Sequence, residues 1–350
     1  MPNTFSQELL IAELAVQRAS VLTKSIQSAV NKGELSKTDS TPVTIADFAA
    51  QALLISAIHH AFPEDKLIGE EDADALRTDK NLQQRVWELV SSTHLDDAES
   101  ESMLASPTSV EEMLEFIDLG GRGTGGRKGR VWMMDPIDGT KTFLHGQQYA
   151  VALALVEDGE EKVGVLGCPN FSLETGRVDE KSVDEKGLGL MLSAVKGEGA
   201  VMRPMRTGSL QAALPIEMSK DKELKDLNFV DCATSQSLDL EKHRQVAEII
   251  GASWPGMDLF SSQVRYGALI VGGGDVMLRI HKRRNKVSSV WDHAGGQLIF
   301  REVGGKITDL DGKEIEFGTG RKLDVNVGMV AAKEWVHARI LQVAQEVLKG

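Results

Sequence analysis

The 350-residue chain is 41% hydrophobic and 26% charged, as expected for a globular protein with one large or two ordinary domains. Its formal net charge of −13 argues against nucleic acid or a membrane as the main partner. The two cysteines, Cys168 and Cys232, fit neither a zinc site nor a disulfide framework, and no apolar run approaches the roughly 18 residues of a membrane span. We therefore expect a cytoplasmic protein, with the nucleus as a second location.

Two helices are predicted at the start of the chain. Residues 7–30 repeat apolar positions at helical spacing, which predicts a helix with one apolar face. A second helix is predicted over residues 47–62, "DFAAQALLISAIHHAF", with Thr44 or Asp47 as its cap and Pro63 at its end.

A short strand and an insertion follow. "KLI" predicts a buried strand that ends just before Glu70, and residues 73–128 resemble an insertion. Within it, residues 92–109 are polar and predict a loop. Ser109 and Glu112 stand in capping-box register and predict a short helix after that loop.

The rest of the chain predicts a sheet followed by an α/β half. Three strand-like runs with turn signals between them favour an antiparallel sheet: "GRVWMMD", "YAVALALVED" and "EKVGVLGCP". Beyond residue 220, helical segments near 239–250, 291–303 and the C-terminus alternate with further strand-like runs: "LNFVDCA", "VRYGALIVGGGDVMLRI" and "NVGMVAA". We therefore predict an N-terminal α+β domain over 1–220 and a C-terminal α/β domain over 221–350.

The stretch "DPIDGT" at 135–140 has the composition of a metal-binding turn. Hard cations such as Mg²⁺ prefer carboxylate and carbonyl oxygens, which Asp135, Asp138 and the Ile137 carbonyl supply in one turn. Converging carboxylates repel one another by roughly 1–4 kcal/mol per pair, so such a turn favours a cation. Thr140 is predicted to open a helix or tight turn whose free N–H groups suit a phosphate.

Three more acidic motifs stand at predicted element ends. "GEED" places Glu70 after a strand, "VWDHAGG" places Asp292 just before a helix, and "TPVTIAD" places Asp47 at a helix start. Four such motifs are hard to explain as four unrelated loops, so we expect their carboxylates to converge.

The ordered set "PVTIAD", "GEE", "DPIDGT" and "WDHAGG" resembles the Mg²⁺-dependent, lithium-sensitive phosphatase superfamily of inositol monophosphatase. The start "KTDSTPVTIADFAAQ", the insertion before "GGRKGRVWMMDPIDGTKTFL" and "SSQVRYGAL" resemble its 3′(2′),5′-bisphosphate nucleotidase family in particular. The resemblance implies an α+β / α/β layered (αβαβα) sugar-phosphatase-like fold. It also implies hydrolysis of 3′-phosphoadenosine 5′-phosphate to AMP and phosphate, with 3′-phosphoadenosine 5′-phosphosulfate as a second substrate.

The same resemblance implies roles for individual residues. Two or three Mg²⁺ ions would be held by Glu70, Asp135, the Ile137 carbonyl, Asp138 and Asp292. Asp47 and Thr140 would orient and deprotonate the attacking water. The phosphorylated nucleotide would be held by Gly139, Thr140, Ser262, Arg265, Arg279 and Asp292.

Three departures from the family pattern leave nucleotide specificity open. Arg265 stands where the nucleotidases usually have a lysine, and its planar fork differs from an ammonium. The loop "DCATSQSLD" lacks an expected histidine, so Thr234 to Ser237 would supply that contact. "KVSSVWDH" lacks the charged pair that usually precedes the tryptophan.

Two alternative functions stay open at this point. One is an inositol phosphate phosphatase with the same metal chemistry, and the other is a nucleotide-binding sensor that does not turn its ligand over. We expect a monomer. His293 is expected to be a structural histidine, and the basic run "RIHKRRNK" at 279–286 a solvated loop except for Arg279.

Overall fold

The computed structural model describes residues 4–31, 41–217 and 221–349, without the side chains of residues 41 and 42. The helices are α1 (Ser6–Asn31), α2 (Thr41–Ala61), α3 (Asp74–Thr78), α4 (Lys80–Ser92), α5 (Ala98–Ser102), α6 (Val110–Gly121), α7 (Thr140–Phe143), α8 (Leu240–Ile250), α9 (Ser262–Val271), α10 (Ala294–Glu302) and α11 (Glu334–Lys349). The strands are β1 (Lys66–Ile68), β2 (Arg130–Asp138), β3 (Ala150–Glu157), β4 (Glu160–Cys168), β5 (Leu190–Val195), β6 (Ala200–Pro204), β7 (Leu214–Pro215), β8 (Val230–Asp231), β9 (Met257–Asp258), β10 (Val276–Arg279), β11 (Gly305–Thr308) and β12 (Met329–Lys333). The residues "KTDS" of the nucleotidase-like start lie outside the described ranges, and so does residue 220, where the domain boundary was predicted.

Two sheets organise the chain into layers. A seven-stranded sheet runs in the order β1 to β7, with β1 parallel to β2 and every other neighbour antiparallel. The second sheet has the order β10-β12-β11, antiparallel throughout, and β8 pairs in parallel with β9. The predicted antiparallel sheet around β2, β3 and β4 is therefore confirmed.

Strand periodicity places these sheets between helices. On β2, Trp132 and Met134 pack with α1 and α2, whereas Val131 and Met133 join the core that contains α9 and α10, because successive strand residues face opposite sides. The second sheet packs one face against α9 and α10 and the other against α8 and α11. The resulting α-β-α-β-α order is the layered fold expected from the motifs.

Three local predictions were wrong. Helix α2 begins at Thr41, so Thr44 and Asp47 lie inside its first two turns and do not cap it. The loop predicted over 92–109 contains α5, and Arg18 of α1 anchors it through Glu101 at 2.9 Å. The first part of "VRYGALIVGGGDVMLRI" is the helix α9, because a short apolar run cannot distinguish a buried helix from a strand.

Helix α2 also bears on the membrane prediction. Val43–Ala61 is long and apolar enough to cross a membrane, with a mean hydropathy of 1.2, contrary to the expectation that no such run exists. Of this apolar stretch, 83% is buried inside the protein, between the first sheet and the helices α4 and α6. A helix that is apolar all round is typical of a protein core.

Candidate active site

The "DPIDGT" turn is formed where β2 loses its regular pairing with β3. The register shifts between Asp135 and Asp138, so both side chains leave the strand at the same irregularity. Gly139 follows with φ 104°, and a Cβ there would lie 3.0 Å from the Ser261 Cβ. The turn therefore requires glycine both for its left-handed backbone and for its contact with the start of α9.

Three carboxylates converge at this turn, as the sequence predicted. One oxygen each from Asp135, Asp138 and Asp292 lie within 4.8 Å of one another. Asp135 is only 2% exposed, and Asp292 comes from the segment just before α10. The cluster therefore joins the end of a strand in the first sheet to the loop that precedes a helix of the middle layer.

Burial and mutual repulsion dominate the electrostatics of the cluster. Burial raises the pKa of Glu70 to about 7, with repulsion from Glu71 and Asp138 adding to it. Burial also raises the pKa of Asp292 to about 7, with Asp138 the next largest cause. The pKa of Asp135 is raised well above its ordinary value by burial and then by Glu70.

Asp47 lies against the same cluster from the side of α2. Its side chain is buried, and its pKa is raised well above the ordinary value by burial, then by Glu71 and Glu70. Its own charge contributes to the raised pKa of Asp135. A carboxyl with a raised pKa is a better proton acceptor once it is ionised, which suits a general base.

Thr140 begins the short helix α7, as predicted. Its hydroxyl donates to the Ile137 carbonyl at 3.4 Å, so the hydroxyl and the carbonyl proposed as a metal ligand are adjacent. Thr140 is exposed, whereas Ile137 is buried.

Two arginines, Arg265 and Arg279, lie near the carboxylates and interact with Asp138 and Asp292. The Ser262 hydroxyl accepts hydrogen bonds from Arg265 Nη2 at 3.0 Å and from Arg279 Nη1 at 3.1 Å. Arg265 is 3% exposed, and its Nη1 and the Arg279 Nε have no hydrogen-bond partner among the described residues. Burial and then repulsion from Arg265 lower the pKa of Arg279. Two guanidinium groups with spare donors, one buried and one half-buried, favour an anionic ligand.

Two residues that the sequence did not single out hold the carboxylates. Asp138 accepts hydrogen bonds from the Ser261 hydroxyl at 2.7 Å and from the backbone N–H of Gln263. The buried Gln263 side chain donates to the Trp291 carbonyl at 2.8 Å and accepts from the Gly296 N–H at 3.1 Å. Gln263 therefore ties the Asp138 turn to the segment that carries Asp292. The sequence signal that could have identified Gln263 is its position within the nucleotidase-like motif "SSQVRYGAL".

Arg321 is a second positioning residue that the sequence missed. Its guanidinium donates to the carbonyls of Gly69 at 2.7 Å, Gly120 at 3.0 Å and Gly123 at 3.2 Å. The same group lies 4.7 Å from the centre of the Trp291 ring. It therefore fixes the loop before Glu70 against the residue before Asp292, and no local sequence pattern marks it.

The remaining candidates fall outside this cluster. His293 is fully buried with its Nδ1 3.0 Å from the Tyr266 hydroxyl, so the prediction of a structural histidine is confirmed. Thr234 lines a cavity of about 720 Å³ together with Lys141 and Phe260. Lys141 Nζ lies 5.6 Å from the centre of the Phe260 ring.

The donor set fits a hard divalent cation. The converging ligand atoms are all oxygens, and no histidine or cysteine joins them among the described residues. The pKa values of the acids stay raised because the nearby cations offset burial and repulsion only in part. Oxygen ligands of this kind suit Mg²⁺.

Fold and site together define a metal-dependent phosphatase of the layered type, and the chain belongs to the inositol monophosphatase family, whose model matches residues 6–349. It is 42% identical over 352 residues to a 3′(2′),5′-bisphosphate nucleotidase of Emericella nidulans, covering 99% of both chains. A Schizosaccharomyces pombe 3′(2′),5′-bisphosphate nucleotidase is 37% identical, over 97% of this chain and 95% of that protein. An inositol monophosphatase structure from Anabaena superposes with a TM-score of 0.58 at 18% identity, covering 98% of this chain and 96% of that one, which confirms the fold.

Proposed function

We propose that this protein is a Mg²⁺-dependent phosphatase that hydrolyses the 3′-phosphate of 3′-phosphoadenosine 5′-phosphate, giving AMP and inorganic phosphate. The observation that carries the proposal is the pairing of a convergent carboxylate cluster with two arginines that have unused, buried donor atoms. The names of the two fungal relatives support this substrate. An inositol phosphate has the same kind of reacting group, so the substrate is the point to test.

Glu70, Asp135, Asp138, Asp292 and the Ile137 carbonyl would hold two or three Mg²⁺ ions. When bound, Mg²⁺ polarises a phosphoryl group and lowers the pKa of water, which makes water a nucleophile at neutral pH.

The chain's own groups would orient and move the proton. Asp47 would accept the proton of the attacking water, and the Thr140 hydroxyl would orient that water beside the Ile137 carbonyl. The water oxygen forms a bond to phosphorus while the bond from phosphorus to the ribose 3′-oxygen breaks. That oxygen takes up a proton from solvent and leaves as a hydroxyl, and the proton held by Asp47 returns to solvent. Burial of the cluster strengthens each of these electrostatic interactions because little water screens them.

Arg265 and Arg279 would bind the nucleotide's phosphate through the guanidinium atoms that have no partner. Ser262, whose hydroxyl lies between the two arginines, would orient the ribose and phosphate. Arg265 keeps its charge at the position where the nucleotidases usually have a lysine, and it makes two bonds within α9, to Ser262 and to the Ser261 carbonyl at 3.3 Å.

The cavity lined by Thr234, Lys141 and Phe260 supports a nucleotide substrate. Its volume of about 720 Å³ falls within the range of small-molecule sites, and its lining includes Lys141 and Thr142, which directly follow Thr140. We propose that the adenosine part enters this cavity and that Thr234 supplies the contact of the absent loop histidine. The 5′-phosphosulfate analogue would bind in the same way, since the reacting 3′-phosphate is identical.

Phosphate release with Mg²⁺ tests the proposal on three compounds: 3′-phosphoadenosine 5′-phosphate, inositol 1,4-bisphosphate and inositol 1-phosphate. Each is repeated with Li⁺, with Asp138→Asn and with the control Asp72→Asn, which changes an exposed acid outside the convergent cluster. We expect selective, Li⁺-inhibited release from the nucleotide, abolished in Asp138→Asn and kept in Asp72→Asn.

The alternatives predict different outcomes. Preference for an inositol phosphate would keep the metal chemistry and overturn the nucleotide assignment. Nucleotide binding without release of phosphate from any compound, in a folded protein, would favour the sensor function instead.

A further inference from the structure

A cavity of about 540 Å³ lies beneath the basic run that follows β10, away from the candidate active site. Residues of β10 alternate between the two sides of their sheet. Met277 belongs to the core that contains α9 and α10, and Arg279 reaches Ser262 on that side. Ile280, which lines the cavity, belongs to the core formed with α8 and α11. The cavity and the active site therefore lie on opposite faces of the sheet.

The wall of this cavity carries an excess of positive charge in a chain whose net charge is −13. The cations that line it are Lys242, Lys282, Arg284 and Lys349. Its two acids are already engaged, since Asp239 caps α8 and Asp311 lies 3.5 Å from Arg284. The three lysines form no ion pair with the part of the chain that the structure describes.

The floor of the cavity is apolar. It is formed by Ile280, Leu310, Val327 and Leu348. His281 also lines the cavity, and its buried Nδ1 has no hydrogen-bond partner among the described residues. Burial lowers the pKa of His281 to about 4, and a hydrogen bond from the ring to the Ser237 backbone opposes this only in part, so the imidazole is neutral at pH 7. A ligand that satisfies all of these groups has an apolar body and an anionic head.

We propose that this cavity is a second binding site, for a small organic anion such as an aryl sulfonate or the phosphate ester of an aromatic or heterocyclic molecule. The volume is adequate for a ligand of nucleotide size. Lys242 and Lys282 bind the anionic head, and the apolar floor covers the body. The basic run "RIHKRRNK" thereby divides between two sites, with Arg279 at the active site and Lys282 and Arg284 at the second.

Backbone hydrogen bonds connect the second site to the residues that directly follow Arg279. Asp239 N donates to the Ile280 carbonyl at 2.8 Å, and Lys282 N donates to the Ser237 carbonyl at 2.9 Å. These bonds join the segment before α8 to the residues that directly follow Arg279. A bound anion would contact both segments without displacing substrate.

Binding of 8-anilinonaphthalene-1-sulfonate, measured by fluorescence titration, tests the site, because this probe has an aromatic body and one negative charge. The test variant is the double charge reversal Lys242→Glu with Lys282→Glu. Lys286→Glu is the matched control, since Lys286 is exposed in the same run but does not line the cavity. Arg265→Ala removes a cation of the active site. Thermal denaturation confirms that each variant folds.

We expect the double variant to bind the probe at least fivefold more weakly, as expected for two partly exposed charge contacts. Lys286→Glu and Arg265→Ala should bind as the unmodified protein does. Equal affinity in the double variant and in Lys286→Glu would overturn the proposal. So would loss of binding in Arg265→Ala alone, which would assign the probe to the active site. This readout needs no substrate, so its failure is distinguishable from failure of the proposed function.

Discussion

Replacing Gln263 with leucine removes the side-chain tie between the two acidic segments. The buried Trp291 carbonyl and Gly296 N–H both lose their partner, although the backbone bond from residue 263 to Asp138 is kept. A buried polar group left without a hydrogen bond costs about 1–3 kcal/mol, so we expect Gln263→Leu to lower the free energy of unfolding by roughly 2–6 kcal/mol. That is a large share of the roughly 5–15 kcal/mol that stabilises an ordinary domain.

Gln297→Leu is a matched control on the neighbouring helix α10. Gln297 is equally buried, but it bonds to side chains only, the Met329 sulfur at 3.4 Å and the Tyr266 hydroxyl, and its Oε1 has no partner among the described residues. Sulfur is a weak acceptor, and replacing an unsatisfied polar group by an apolar one is close to neutral. We expect Gln297→Leu to change stability by less than about 1 kcal/mol.

Urea denaturation in EDTA gives the stability difference, provided that the slope m is the same in both variants. The second measurement is the Mg²⁺ concentration that gives half-maximal phosphate release, which we expect to rise only in Gln263→Leu, because Asp292 is then less well positioned. Equal urea midpoints for the two variants would refute the claim that the Gln263 side chain stabilises the contact between the two acidic segments. A stability loss with an unchanged Mg²⁺ requirement would restrict Gln263 to a role in stability.

Three further predictions concern the surroundings of the cluster. Arg321→Ala removes the bonds to the loop before Glu70, so the Mg²⁺ concentration for half-maximal phosphate release should rise about 10–100-fold; an unchanged requirement would contradict this role. Burial raises the pKa values of Glu70 and Asp292 to about 7 in the folded protein, from ordinary values of 4.5 and 3.8, so the folded state binds more protons than the unfolded state. In EDTA, the urea midpoint should therefore fall as pH rises from about 5 to 7.5, and Mg²⁺ should remove this fall. A midpoint that rises with pH would contradict the raised pKa values. The His243 ring bonds on both sides, through Nδ1 to the Asp231 carboxylate at 2.5 Å and through Nε2, which accepts from the Ile280 N–H at 3.1 Å. His243→Leu should therefore lower the free energy of unfolding, measured with urea, by about 2–5 kcal/mol. A loss below about 1 kcal/mol would mean that water replaces both bonds.

The carboxylates of the site were predictable because each stands in a short motif at the end of a strand or before a helix. Asp135 and Asp138 are three residues apart, and the local irregularity of β2 is enough to bring them together. Asp292 could be identified as a candidate because a helix was predicted to follow it directly. The prediction for Asp47 was right about its proximity to the cluster and wrong about its place in the helix.

The residues that position those carboxylates were not predictable from local patterns. Arg321 donates to the carbonyl of Gly69, which is 252 positions earlier in the chain, and a backbone carbonyl leaves no mark on the sequence. Gln263 likewise bonds to a carbonyl and an N–H group. The helix α9 was mistaken for a strand for a related reason, since burial on all sides removes the polar face that gives a helix its period.

The proximity of acids and arginines in the site makes metal binding and anion binding interdependent. Burial raises the pKa of both Asp138 and Asp292, and the charges of Arg265 and Arg279 partly oppose this, so the arginines partly serve as counter-ions for the carboxylates. An anion that takes up the arginines leaves the carboxylates with a greater demand for cations. Inorganic phosphate should therefore increase the affinity for Mg²⁺, and Mg²⁺ must increase the affinity for phosphate by the same factor. A protein with this charge arrangement would release its two kinds of ligand together and would be inhibited by its own product most strongly when Mg²⁺ is abundant.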